Sequence, residues 1–325
     1  MFDRRTWLRT AAVSLATATT LAAAQTDFPT RPVTIVVPGA PGGGGDFTAR
    51  LLADELGSLL GRAVVVENRA GAAGNIAATH VARAQPDGYT LLLAYSGTHV
   101  GNPAIFSNLQ WDPIKSFTPV AMLVTSPQVI VVSKSLPVNT LAELVTYARQ
   151  NPGKLNYATS GAGTVQHIGT ELFGTRTGTR LVHVPYKGAG AAITDVLSGQ
   201  VQLMITTPPA VVSHIKAGNL KALAIASKQR HPMLPDVPTT SQADVPDVEV
   251  DAWFALYAPA STPAPVIQKL TSAVQTVVTG NRFRQRAEES GTYASYMAPA
   301  QLDAFTRIEL TAWSDIIKKL GIKAE

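Results

Sequence analysis

From residue 33 onward, short apolar runs alternate with stretches whose apolar residues return every three or four positions. VTIVV (Val33–Val37) reads as a buried strand. After a glycine loop, FTARLLADELGSLLG places Phe47, Leu51, Leu52, Leu56, Leu59 and Leu60 at helical spacing, and Gly61 marks the stop. AVVVE predicts a second strand, GNIAATHVARAQ a second helix, and TLLLA a third strand that opens into the small-residue loop YSGTHVGNP. A second unit starts near SPQVIVVS and repeats the alternation through TLAELVTYARQ, LNYAT, VQHIGTELFG, AAITDVLSG, VQLMITT and ALAIAS. A proline-rich passage, HPMLPDVPTTSQADVPDVEV, then leads to the strand AWFALYAP and three helical runs. Strands alternating with helices predict an α/β protein whose strands are mainly parallel.

Two segments share one logic. IVVPGAPGGGGDFTARLLADEL and LNYATSGAGTVQHIGTELF are each strand, glycine-bearing loop and helix, about 120 residues apart. They read as equivalent places in two similar domains, with ligand contacts at the carboxyl ends of strands. The first turn of a helix carries unpaired N–H groups and the positive end of the dipole, and glycine allows close approach, so an anion is the expected guest. A nucleotide phosphate is disfavoured. No lysine follows Gly45 as a P-loop requires, and Asp46 stands there instead. The dinucleotide fingerprint begun at Gly42 fails at Phe47. Asp46 has a second role open to it, capping a helix expected to begin at Phe47. In the other loop, Ser160 and Thr164 offer hydroxyls and Gly161 and Gly163 open backbone, a set suited to a carboxylate. Thr164 is also placed to cap its helix.

Composition narrows the chemistry. The 325 residues are 46% apolar and 15% charged, enough for two folded domains. The absence of cysteine excludes disulfides, thiolate metal sites and a cysteine nucleophile. Residues 1–24 have a basic start, a short apolar run and Ala22-Ala23-Ala24 as a cleavage site, which reads as an export signal too short to span a membrane. Arg4-Arg5 suits a twin-arginine signal and equally an ordinary secretory leader, so both routes stay open. Loss of this leader lowers the formal charge from +5 to +3 with no basic block, which argues against nucleic acid. The six histidines have no metal-binding spacing and no G-x-S-x-G elbow exists, so no catalytic residue, metal or cofactor is expected. His99 and His167 lie in or just after small-residue loops and are the histidines to watch.

PGGGGDFTARLLADELGSLLGRAVVVENRAGAAGNIAATHVARAQPDGYTLLL closely resembles the exported solute receptors of tripartite tricarboxylate transporters, the Bug family. TSGAGTVQHIGTELF, HVPYKGAGAAITDVLSGQVQLMI, IKAGNLKALAIAS and LPDVPTTSQADVP resemble the same family in the same order. The resemblance implies a two-domain periplasmic-binding-protein fold, type II-like, each domain a mostly parallel sheet flanked by helices, with a ligand cleft between them. It implies domain boundaries at 25–124 plus 227–325 and at 125–226, with a hinge near 122–126 and 224–228, and a monomer serving membrane components of such a transporter. It also implies a small organic carboxylate held by Gly42, Gly43, Gly44, Gly45, Asp46 and Phe47 from one side and by Ser160, Gly161, Gly163, Thr164 and His167 from the other. Ser96, Thr98, His99, Thr206 and Thr207 would line the remaining wall, and Tyr186 and Lys187 stand at another strand end. Many members place an aspartate where VQLMITT ends, but Thr206 and Thr207 follow Ile205 here, which disfavours an amino acid. A periplasmic enzyme using the same cleft and a ligand-presenting sensory receptor are the alternatives.

Overall fold

The computed structural model describes residues 28–186 and 188–321; the export leader and Lys187 lie outside them. The chain opens with β1 (Val33–Val37), α1 (Gly44–Leu60), β2 (Val64–Asn68), α2 (Asn75–Ala82) and β3 (Thr90–Tyr95). A π-helical turn (Gly97–Gly101) and the short α3 (Asn102–Ile105) lead to β4 (Phe117–Ser133). There follow α4 (Leu141–Gln150), β5 (Asn156–Thr159), α5 (Val165–Thr177), β6 (Val182–Pro185), α6 (Ala189–Ser198), β7 (Leu203–Thr206), α7 (Pro208–Lys216) and β8 (Leu220–Ala226). The chain ends with β9 (Asp251–Pro259), α8 (Ala264–Thr279), α9 (Asn281–Glu289), β10 (Tyr293–Met297) and α10 (Pro299–Leu320).

Two lobes form around the shared strand β4. In the first, the order is β2-β1-β3-β9-β4 with β10 also on β4; in the second it is β4-β7-β5-β6 with β8 also on β4. Ladders β1–β2, β1–β3, β5–β6 and β5–β7 are parallel, while every described antiparallel ladder involves β4 or β9. The sheets are therefore more mixed than the alternation predicts, and the parallel part is the part that carries both glycine loops. β4 pairs with β9 through Pro127 and with β8 from Gln128 onward. Proline has no N–H to give a ladder, so the change of partner at Pro127 breaks no bond that another residue would have made.

Period-two alternation explains the layers. Ile35, Val37, Leu91 and Leu93 face α1, α8 and α9, where they meet Leu52, Leu56, Leu270 and Phe283. Val36, Leu92 and Ala94 face the other way, onto Trp253, Tyr257 and Leu302. In the second lobe Ile130, Val132, Leu203 and Ile205 pack with Phe173, while Val129, Val131 and Met204 pack with Val196 and Val211. The proline-rich passage, expected with the first domain, packs against the second. Thr239 bridges to Ile225, and Val245, Val248 and Val250 join the core around Ile130 and Phe173. On α10, Leu302 and Ile317 are buried, Trp313 packs on both lobes, and Ile308 faces solvent at 67% exposure.

Candidate functional site

The first loop leaves β1 and turns into α1 at Gly44, three residues before the expected start. Gly42 has a φ of +82°, a left-handed conformation that favours glycine. Asp46 therefore lies inside the first turn. Its carboxylate accepts the Gly42 N–H at 2.9 Å and pairs with Arg50 at 3.0 Å. Burial raises the Asp46 pKa, but the bonds from Arg50, Gly42 and Asn68 outweigh it and leave the group below its ordinary value. Asp46 is thus a clamp that closes the loop, and its charge is already met. The first helical bond runs from Phe47 N–H to the Gly43 carbonyl, so the N–H groups of Gly44, Gly45 and Asp46 precede the ladder. Gly45 brings this turn close to Phe254: a Cβ there would stand 3.2 Å from the ring. The Phe47 side chain packs against the first core.

The second loop leaves β5 and turns into α5. Thr164 is its N-cap, accepting the His167 N–H at 3.4 Å and donating to the Gly161 carbonyl at 2.9 Å. The hydroxyl expected to reach a ligand is committed to the cap. Gly161 N–H donates to Thr159 Oγ1, and Gly163 N–H donates to His167 Nδ1 at 3.0 Å. Ser160 N–H donates to Gln166 Oε1 at 2.6 Å, and Gln166 Nε2 donates to the fully buried Thr206 Oγ1 at 3.2 Å. Thr206 therefore supports the loop from behind. Thr207 caps α7 through its backbone conformation alone. The ladder of α5 begins with Ile168 N–H to the Thr164 carbonyl, so with His167 N–H capped, Val165 and Gln166 supply the first-turn donors.

Because His167 Nδ1 accepts, the ring hydrogen of the neutral form sits on Nε2. The ring stacks on His183 at 3.9 Å, and His183 stacks on Tyr157 and contacts Thr159 Oγ1 at 2.7 Å. Burial lowers both pKa values to about 4, and the neighbouring His183 charge lowers that of His167 further. Two neutral rings hold the loop from beneath. His99 has a different place. Its ring lies among Tyr257, Phe117 and Trp111, with centroids 4.4, 5.5 and 5.9 Å away, and burial lowers its pKa to about 3. It is an uncharged core side chain.

A third strand-to-helix loop, GAAGN, follows β2 and carries the same small-residue pattern. Ala72 and Ala73 both have positive φ, 47° and 53°, a strained conformation outside glycine. Thr98 Oγ1 and Asn102 Nδ2 hold it by donating to the Ala73 carbonyl at 2.9 and 3.0 Å. Ser96 Oγ accepts the Trp253 N–H at 3.3 Å, which ties the π-helical turn to β9. Tyr186 faces away into its own lobe, donating to Asp195 Oδ2 at 2.6 Å.

The lobes meet at these loops. A Cβ on Gly101 would lie 3.4 Å from the Gly163 carbonyl oxygen, and one on Gly163 would lie 2.4 Å from Ile105 Cδ1. Tyr95, at the end of β3, stacks on Phe254 at 5.3 Å and packs against the cores of both lobes. Phe254 lies against Gly44 and Gly45 in the first turn of α1, and Tyr95 beside it joins the second-lobe core that includes Val165 at the start of α5. The arrangement offers N–H donors and two positive helix ends from opposite lobes, a setting for an anion. Among the described residues no group of three or more metal-type side chains occurs.

Comparison with known proteins agrees with this architecture. The model for the tripartite tricarboxylate transporter family receptor matches residues 48–322. The chain is similar to the adipate-bound Rpa4515 of R. palustris, with 36% identity, 91% of this chain and 99% of that one covered, and a TM-score of 0.87. It is similar to the periplasmic binding protein BugD, with 36% identity, coverage of 92% and 100%, and a TM-score of 0.84. It is likewise similar to MatC of Rhodopseudomonas palustris with bound malate, with 36% identity, coverage of 89% and 100%, and a TM-score of 0.82. The chain belongs to the Bug family of tripartite tricarboxylate transporter receptors.

Proposed function

We propose that this protein is an exported receptor that captures a small organic carboxylate between its lobes and delivers it to a membrane transporter. The observation that carries the reading is that the N-terminus of α1 from one lobe and the core holding the start of α5 from the other share the Phe254–Tyr95 stack. The adipate and malate held by the two relatives support a carboxylate as the guest. The donors are the N–H groups of Gly44, Gly45, Asp46, Val165 and Gln166, which their own helices leave unpaired. A micromolar receptor needs about 8 kcal/mol. A helix dipole adds about 0.3–1 kcal/mol, whereas each hydrogen bond to an ionised group adds about 1.5–3 kcal/mol. About four to six such bonds therefore decide affinity, after the cost of ordering the lobes.

The lobes divide where the chain crosses, at Ser126–Gln128 in β4 and at Val250–Ala252 on entry to β9. We place the second lobe at about residues 127–250, which takes in the proline-rich passage. A dicarboxylate or aromatic acid is favoured over an amino acid, since Thr206 and Thr207 end β7 and Asp46 is engaged by Arg50. No helix of the described residues is long and apolar enough to cross a membrane, which suits a periplasmic receptor that works as a soluble monomer. Native mass spectrometry of freshly purified protein, followed by calorimetry with malate, adipate, benzoate and aspartate, tests the reading. A bound acid returned intact, with malate preferred to aspartate, is expected; conversion of the acid refutes the receptor role, and preference for aspartate refutes the specificity.

A further inference from the structure

Glu309 and Trp313 lie one turn apart on α10, which the first lobe carries, and Trp313 packs against the cores of both lobes. Glu309 Oε2 accepts two indole N–H groups, that of Trp313 at 3.1 Å and that of Trp253 at 3.3 Å. Trp253 is buried on β9, close to where the chain enters the first lobe, so the second bond ties the carboxylate to the sheet. The Trp313 ring then covers Gly101. A Cβ on Gly101 would stand 3.3 Å from two carbons of that ring and 3.4 Å from the Gly163 carbonyl oxygen in the second glycine loop. The same ring joins the cluster in which Ile168 of α5 meets Ile105 and Ile317. The second loop and its helix therefore rest against a surface that Trp313 helps to form. We propose that Glu309 is a positioning residue for ligand capture: by holding the Trp313 indole, it sets the wall of the first lobe on which Gly163 and α5 come to rest when the lobes close. Burial raises the Glu309 pKa and the two indole bonds draw it back, and among the described residues no lysine or arginine pairs with it. A carboxylate drawn out of water without a cation is a poor source of stability, whereas an acceptor shared by two N–H donors fixes the orientation of two rings at once.

This role deepens the receptor reading and rests on it for the guest that is captured. Glu309→Gln keeps a carbonyl oxygen to accept the indoles, Glu309→Leu removes the acceptor at similar size, and Trp313→Phe removes the donor. Titration calorimetry with malate and adipate reads affinity, with circular dichroism to verify the fold. Glu309→Leu and Trp313→Phe are expected to lose affinity about tenfold, the double variant to lose no more, and Glu309→Gln to stay within about twofold of the wild type. Nitrogen-15 NMR of the ligand-free protein reads the indole N–H groups directly. Glu309→Leu is expected to shift the signals of Trp253 and Trp313 and to leave that of Trp111, which makes no bond to Glu309. Folded Glu309→Leu protein that binds both acids as the wild type does overturns the proposal, and so does a Glu309→Gln variant as weak as Glu309→Leu. If Glu309→Leu does not fold, unchanged affinity in Trp313→Phe overturns it instead. Failure of the wild type to bind either acid counts against the carboxylate reading, while a Trp313 signal that stays in place in Glu309→Leu overturns the positioning by itself.

Discussion

Gly163→Ala separates what the second loop needs for folding from what it needs for closure. Gly163 has a φ of +76°, and a Cβ there would lie 2.4 Å from Ile105 Cδ1, with two further Ile105 carbons at 3.6 Å. The first effect belongs to the second lobe alone. A non-glycine residue in the left-handed region costs about 1–2 kcal/mol, and each kcal/mol lowers the melting temperature by about 2–4 °C in a chain this size. The second effect exists only when the lobes are apposed, because Ile105 belongs to α3 of the first lobe. Ile105 packs with Ile168 and Ile317, so moving its terminal methyl costs about 1–3 kcal/mol. That is about a 5-fold to 150-fold loss of carboxylate affinity. Scanning calorimetry reads the first effect and titration calorimetry the second. Repeating both in an Ile105→Ala background removes the clash and leaves the backbone cost, so affinity should recover while the loss of melting temperature persists. A lower melting temperature with unchanged affinity, or an affinity loss that survives Ile105→Ala, refutes the reasoning.

Thr164→Ala should lower stability by about 1 kcal/mol through loss of the cap on α5, and Thr164→Ser should restore it, both read by thermal unfolding. Acid should weaken the fold in two windows. His167 and His183 have folded pKa values lowered to about 4 from 6.5, so the unfolded chain takes up protons first. Their contribution is intact above pH 6.5 and falls as pH drops toward 4, with the buried His99 and His231 acting in the same direction. His183→Phe keeps a stacked ring and should flatten part of that slope in scanning calorimetry between pH 7.5 and 3.5; an unchanged slope removes the pair from the account. Asp46 acts lower: its depressed folded pKa makes its contribution present above 3.8 and lost as pH falls through the folded value. Asp46→Asn should abolish that lower step.

Much of the site was legible because it is local. Glycine runs between a strand and a helix announce exposed N–H groups whatever the rest of the chain does. Which donors stay free was not legible. Thr164 and Ser160 looked alike as hydroxyl donors, yet Thr164 closes its own helix and the Ser160 backbone is claimed by Gln166. His99 and His167 lie in or just after small-residue loops, yet one ring is enclosed by Tyr257, Phe117 and Trp111 while the other props the loop that carries Gly161 and Gly163. β10 was hidden because YASYM acquires its strand conformation by pairing with Val124 and Thr125, far back in the chain.

The amino-acid order by itself determined most of the strands and helices and the two glycine loops, because apolar period and glycine placement act over a few residues. The tertiary structure alone decided that β4 serves both lobes, that Val245, Val248 and Val250 pack with the second, and that the Tyr95 ring packs against both cores. Periodicity reports which face of an element must be buried but not which face it meets. A polar group becomes free or spent only when its partner arrives from elsewhere, as the Trp253 N–H does at the accepting Ser96 Oγ.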